Sequence, residues 1–176
     1  MRKYIYIIVV LIAAIFINMA MNTKQEPLKV GDKIPAFSLL DQDGNTFNSS
    51  TVIGKQSTII YFYPKDDTPG CTKEACKFRD EFEVFTDLNT KVIGISSDDV
   101  ASHKKFAEKY NLPFILLADT SKKVRRLFGV PKSMMGLIPG RVTYVINAKG
   151  VIIYIFEKQF GAEKHISEAI KALKNS

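Results

Sequence analysis

The chain is short of several things that define common protein classes. It has two cysteines and two histidines among 176 residues, too few and too scattered for a disulfide scaffold or a zinc cage built from neighbouring positions. Neither His103 nor His165 lies near the cysteines at 71 and 76, so no metal and no cofactor is read from the pattern. No repeat and no low-complexity tract appears. The formal charge is +7, but its lysines and arginines are spread over helices whose other face is apolar. With no dense basic run and no aromatic-basic interleaving, nucleic acid is not an expected partner.

One long hydrophobic run is present. Tyr4 to Met21 is nearly free of polar side chains and follows Arg2 and Lys3. At ~1.5 Å per residue a helix there would span roughly 27 Å, just enough for a hydrocarbon core. The flanking charges predict the N-terminus inside and the remaining chain on the extracytoplasmic side. A cleaved signal peptide is the competing reading, although Asn18-Met19-Ala20 matches a cleavage site poorly. The expected organisation is a membrane anchor or signal segment over 1–22, a polar tether over 23–27 and one domain over 28–176. At 46% hydrophobic residues, the chain can bury a real core.

That domain is organised around Tyr61 to Asp80, which holds both cysteines. Residues 58–63 form a continuous β-prone run suited to a strand buried on both faces, and Pro64 ends it. Thr68 followed by Pro69 has the form of an N-cap with proline at the first helical position. Beyond them Ala75, Phe78, Phe82, Phe85 and Leu88 recur at intervals of three and four, which predicts one long helix with an apolar stripe. Cys71 then falls in the first turn, among unpaired N–H groups and the positive end of the helix dipole, which favour a thiolate. A plain buried cysteine is the alternative at this point.

Pro64, Thr68 and Cys71 reproduce the P-x-x-x-T-x-x-C signature of the peroxiredoxins. Cys76, five residues on, resembles the resolving cysteine of their Q-type, or bacterioferritin comigratory protein, branch. The likeness continues through Ser96-Ser97-Asp98, His103-Lys104-Lys105-Phe106, Asn111-Leu112-Pro113-Phe114, Gly129-Val130-Pro131 and Pro139-Gly140-Arg141-Val142-Thr143-Tyr144-Val145. It covers the chain from about Leu28 onward. The resemblance implies a peroxidase in which Cys71 is peroxidatic and Cys76 resolving. It also implies that Thr68 hydrogen-bonds the peroxide, Arg141 activates the thiolate and Pro64 shields the pocket, with backbone N–H groups of Gly70 and Cys71 as further donors. The implied substrate is hydrogen peroxide or an organic hydroperoxide, and the implied partner is thioredoxin or a thioredoxin-like dithiol. An intrachain partner for Cys71 removes the need for a dimer, so a monomer is expected.

A structural staple between the cysteines fits poorly. Five positions on one α-helix are about 140° apart around the axis and ~7.5 Å apart along it, so bonding requires the helix to unwind. A cycle between a folded dithiol and a locally unwound disulfide makes better sense of the spacing. A membrane-tethered thiol-disulfide oxidoreductase of the same fold is the runner-up, but it would ordinarily carry a Cys-x-x-Cys pair, which is absent.

The order of the remaining segments predicts the fold. Residues 35–40 and 45–47 flank Asp41-Gln42-Asp43-Gly44 as a hairpin. Residues 91–96 form a second buried strand, parallel to the first across the cysteine helix. A helix with Val100, Phe106, Ala107 and Tyr110 inward, a strand over 114–117, a short helix over 121–128 and a loop over 130–140 follow. A hairpin of 141–146 and 151–156 and a helix over 162–174 close the chain. This is an α/β, thioredoxin-like architecture with an N-terminal β-hairpin extension, preceded by the transmembrane or signal helix. His103 and His165 are predicted on polar helix faces at the surface, and Asp66, Asp67, Asp98 and Asp99 as loop and cap residues.

Magnitudes indicate where catalysis must come from. Taking any cysteine from a pKa near ~8.5 to ~6 raises its thiolate at pH 7 about thirtyfold, while nucleophilicity drops about tenfold. The net gain is about threefold. A large acceleration therefore needs donors aimed at the peroxide oxygens, above all the leaving one.

Overall fold

The computed structural model describes residues 26–133 and 135–176. The expected anchor or signal segment and most of the tether lie outside them. The domain is built on a seven-stranded mixed sheet in the order β2-β1-β5-β4-β3-β8-β9. Its strands are β1 (Ser38–Asp41), β2 (Thr46–Asn48), β3 (Ser57–Phe62), β4 (Thr90–Ser96), β5 (Ile115–Ala118), β8 (Val142–Ile146) and β9 (Ile152–Glu157), while β6 (Lys132–Ser133) and β7 (Ile138–Pro139) pair separately. The helices are α1 (Pro69–Asp80), α2 (Phe82–Asp87), α3 (Val100–Tyr110), α4 (Lys123–Leu127) and α5 (Glu163–Lys174). This is the thioredoxin-like α/β fold, with the β1–β2 hairpin added beside β5.

β3 is an interior strand, parallel to β4 and antiparallel to β8. Its side chains alternate between two cores, as a pleated strand covered on both sides must. Ile59, Tyr61 and Tyr63 face a cluster closed by Ala75 and Phe78 of α1, Phe85 of α2, Phe106 of α3 and Ile166 and Ala169 of α5. Ile60 and Phe62 face the other cluster, with Val124 of α4, Phe128, Tyr144 and the N-terminal Phe37 and Phe47. Tyr61 stacks on Phe78 with ring centroids 4.6 Å apart. A ring lying flat across β4 requires Gly94 there, because a Cβ would stand 2.7 Å from the Tyr61 ring.

Two sequence expectations are corrected. The single long helix is broken at Glu81, whose φ of −99° and ψ of 14° end α1 before α2 begins. No proline or glycine marks the break; tertiary packing imposes it, as Phe85 turns into the core while Phe82 stays partly exposed. His103 and His165, expected at the surface, are both fully buried. Each joins a polar network inside the fold. Asp99 does cap α3, accepting from the Ser102 N–H at 2.8 Å, and the turn at Asn111 ends it in the left-handed region.

Candidate active site

β3 delivers the chain to the site and Pro64 stops the ladder, since it has no N–H to continue it. The loop that follows is tied down on both sides. Asp66 is buried and accepts from the Tyr63 hydroxyl at 2.7 Å, the Ser102 hydroxyl at 2.7 Å and His103 Nδ1 at 2.9 Å. Its own N–H donates to Asp98. Because a carboxylate only accepts, His103 carries its proton on Nδ1; Nε2 is buried with no hydrogen-bond partner among the described residues. Asp67, at φ 54°, is exposed and held by Lys109 and Tyr110 of α3. The exposed lysine and tyrosine hydrogen bonds hold the Asp67 carboxyl below its usual range.

Thr68 is the N-cap residue by position, its carbonyl accepting from the Thr72 N–H at 2.8 Å. Its hydroxyl makes no side-chain cap and instead donates to the Lys65 carbonyl at 3.1 Å. The hydroxyl oxygen therefore keeps lone pairs for a further donor. Pro69 takes the first helical position and Cys71 the third. Cys71 is 2% exposed and Cys76 is half-buried; both are free thiols.

Arg141 completes the arrangement from the start of the neighbouring strand β8. The register pairs Phe62 with Val142, so the residue before β8 stands beside the residue after β3. Nη2 of Arg141 donates to Cys71 Sγ at 3.3 Å, Nη1 to Glu74 Oε2, and Nε to the Gln159 carbonyl at 3.3 Å. Gly70 lies against the same guanidinium, since a Cβ there would be 3.4 Å from Nη2. Although burial works against its charge, Glu74 and Cys71 hold Arg141 above its usual pKa. Burial pushes the Glu74 carboxyl up to about 8, with the guanidinium pulling the other way. Arg141 is thus a fork between a sulfur and a carboxyl group.

Behind the fork lies His165. Its Nε2 donates to the Lys158 carbonyl at 2.8 Å and its Nδ1 accepts from the Thr143 hydroxyl at 2.8 Å. Nδ1 is 3.8 Å from Glu74 Oε1. Burial pushes its pKa down to about 4, so it is neutral at pH 7. A cleft of ≈ 190 Å³ opens beside Arg141, lined by Pro131, Lys132, Ser133, Gly140 and Lys158 among others. The 130–140 loop contributes much of that wall.

The structure therefore brings Cys71 and Arg141 into contact and places Thr68 and Pro64 on the segment leading to the thiol. Cys76 lies further along α1 and does not touch Cys71. Of two buried groups, sequence reasoning assigned Glu74 at most a part in ordering the loop and assigned Arg125 no role. Glu74 was legible in principle, because it lies three positions after Cys71 and so shares its helix face. Arg125 sits inside a run of basic residues and nothing in the pattern separates it from Arg126.

Known proteins resemble this chain in both sequence and fold. The AhpC/TSA family matches residues 30–155. The chain is 53% identical over 145 residues to the chloroplastic peroxiredoxin Q of Triticum aestivum, covering 82% of this chain and 66% of that protein. It is 49% identical over 154 residues to the chloroplastic peroxiredoxin Q of Populus jackii, covering 88% and 72%. Among solved structures, peroxidoxin BcpB from Mycobacterium tuberculosis superposes with a TM-score of 0.78 at 33% identity, covering 84% of this chain and 97% of that one. The bacterioferritin comigratory protein of Xanthomonas campestris, studied for alkyl peroxide reduction, gives 0.72 at 29% identity, covering 79% and 90%.

These relatives correct the expected location. The peroxiredoxins Q of wheat and poplar are chloroplastic, and among the described residues no helix is long and apolar enough to cross a membrane. The membrane-anchored, extracytoplasmic placement is withdrawn, and the tethered oxidoreductase alternative loses its basis with it. From the site geometry and these likenesses together, the chain belongs to the AhpC/TSA family of thiol-based peroxidases, as a peroxiredoxin of the Q type.

Proposed function

We propose that the domain over 28–176 reduces hydrogen peroxide and organic hydroperoxides through Cys71, with Cys76 as resolving cysteine and a thioredoxin-like dithiol as reductant. The Cys71 thiolate attacks one peroxide oxygen; the S–O bond forms as the O–O bond breaks, and the leaving oxygen takes a proton to depart as water or an alcohol. Cys76 then attacks the sulfenic acid, releasing water and forming an intrachain disulfide. A dithiol partner reduces that disulfide and is itself oxidised. Each cycle needs only one chain, so a monomer suffices.

The observation that carries this reading is the 3.3 Å contact between Arg141 Nη2 and the buried Cys71 sulfur. A fixed cation there lies against the attacking sulfur and stands ready for charge developing on the peroxide. Thr68, with its proton engaged at the Lys65 carbonyl, accepts the hydroperoxide O–H. Pro64 and the Gly70 and Cys71 N–H groups complete the role assignments. The test is to add one equivalent of hydrogen peroxide or cumene hydroperoxide to the reduced protein and map the product by mass spectrometry. Stoichiometric loss of both thiols into a Cys71–Cys76 disulfide is expected, with no reaction in Cys71→Ser. Slow peroxide consumption alongside rapid exchange with disulfides would overturn the assignment.

A further inference from the structure

The antiparallel ladder between β3 and β8 ends at the pair Phe62 and Val142. Continuing that register brings Tyr63 opposite Arg141 and Pro64 opposite Gly140. Pro64 has no N–H, so the ladder cannot continue. The two strands must nevertheless keep a fixed spacing here, because one leads into Cys71 and the other carries Arg141.

Arg125 occupies this open end. It is 6% exposed, and its guanidinium lies 5.4 Å from the centre of the Phe62 ring. Nη2 donates to the Tyr63 carbonyl at 2.8 Å and Nη1 to the Gly140 carbonyl at 2.9 Å. The two carbonyls belong to the residues immediately before Pro64 and Arg141. Arg125 is itself immobilised: Asp119 accepts from the Val124 and Arg125 N–H groups at 3.2 and 2.8 Å, and the Arg125 carbonyl accepts from Val130 at 3.1 Å. Gly140 is pressed against Pro131, whose carbonyl oxygen would be 2.3 Å from an added Cβ. Its carbonyl has little room to move.

We infer that Arg125 is a positioning residue of the peroxidatic site: its guanidinium fork bridges the Tyr63 and Gly140 carbonyls where the β3–β8 ladder stops at Pro64, and sets the spacing between the strand end that leads to Cys71 and the one that carries Arg141. This rests on Cys71 being the peroxidatic cysteine. Burial lowers the Arg125 pKa to about 10, so it stays charged at neutral pH. Its charge is spent on two backbone carbonyls rather than on an ion pair, which an ordinary surface arginine would not do. Lysine would keep the positive charge but not the planar fork that spans two acceptors.

The effect is expected on peroxide and not on thiols in general, because a displacement of the donors by about 1 Å costs on the order of a hundredfold in a reaction that depends on alignment. The experiment compares the full chain with Arg125→Met and Arg125→Lys. Cys71 oxidation by hydrogen peroxide is followed by rapid quench and peptide mass spectrometry, and Cys71 alkylation by iodoacetamide is measured on the same folded samples. The expected result is a peroxide rate lowered at least about tenfold in both variants, less in the lysine one, with the alkylation rate held within about threefold. Truncation to Met leaves two buried carbonyls unpaired, so where that variant fails to fold, Arg125→Lys decides. A variant with the parental peroxide rate overturns the clamp, and so does equal loss of both reactions, which marks a general disturbance. If the unmodified protein reacts with iodoacetamide but not with peroxide, the peroxidatic assignment fails first.

Discussion

Arg141 and Cys71 are 70 positions apart in sequence, yet the guanidinium donates to the sulfur at 3.3 Å while its other nitrogen holds Glu74. Neither contact belongs to a helix or a strand ladder. It exists because β8 runs antiparallel beside β3 and begins where β3 ends. Most of the expected reactivity depends on this one meeting.

Replacing Arg141 by Met is expected to lower the peroxide rate about 10²- to 10³-fold, the usual scale for losing a donor aimed at developing charge. Arg141→Lys should recover only part of it, because a point charge cannot serve Cys71, Glu74 and Gln159 together. Glu74 supplies a second readout. A carboxyl whose folded pKa is raised from 4.5 to about 8 makes stability fall as pH rises through that interval. Without the guanidinium the interval extends upward, so Arg141→Met should lose more urea stability at pH 9 than at pH 6. A peroxide rate within threefold of the parent would remove Arg141 from the reaction.

Oxidation should unwind the start of α1. Cys71 and Cys76 are the third and eighth residues of a 12-residue helix, a spacing that no relaxed disulfide spans. Formation of the bond is expected to lose roughly one to two turns of helix, seen as weaker ellipticity at 222 nm and faster amide exchange over 69–78. It should also draw Glu74 away from Arg141, since Glu74 lies between the two cysteines. Cys76→Ser should show no such loss and should instead accumulate sulfinic acid at Cys71 under excess peroxide. An unchanged helix signal in a protein with the mapped disulfide would refute the unwinding.

His165 predicts acid sensitivity. Its folded pKa is pushed down to about 4 by burial, with Arg141 adding to the effect and the Lys158 carbonyl opposing it. In an unfolded chain the same side chain takes up its proton near ~6.5. Between those values the unfolded state binds more protons, so stability rises with pH across the window and is lost as pH falls from about 6.5 to about 4. The loss from this residue is about 3 kcal/mol. Urea titrations at stepped pH should show a shallower acid decline in His165→Gln, and an unaltered slope would assign the acid sensitivity elsewhere.

Asp66 anchors the loop that leads to Thr68. Three side-chain donors converge on its carboxylate, so Asp66→Asn turns one acceptor into a donor facing donors. A destabilisation of about 2–4 kcal/mol is expected, together with a lower peroxide rate. Urea unfolding within about 0.5 kcal/mol of the parent would show the network to be dispensable.

Much of the fold was legible because short-range pattern controls it. The apolar run before Pro64, the Thr68-Pro69 helix start, the Asp41 to Gly44 turn and the alternation of β and α segments all report interactions within a few residues. The two histidines were misread for want of one step. His103 precedes Phe106, Ala107 and Tyr110 by three, four and seven positions, and His165 precedes Ala169 by four, so both belong to the buried stripes of their helices. Their polarity suggested solvent, whereas Asp66 and Thr143 await them inside. The break at Glu81 had no local signal at all.

From its letters alone this chain declares where a thiol meets the first turn of a helix, because capping and burial patterns are written in neighbouring residues. That the guanidinium named by resemblance reaches that thiol, and that Glu74, His165 and Arg125 are enclosed around it, depended on how β3 and β8 are aligned side by side. Contacts between strand ends are set by sheet register and by the close packing of two cores, and those are properties of the whole folded chain rather than of any stretch of it.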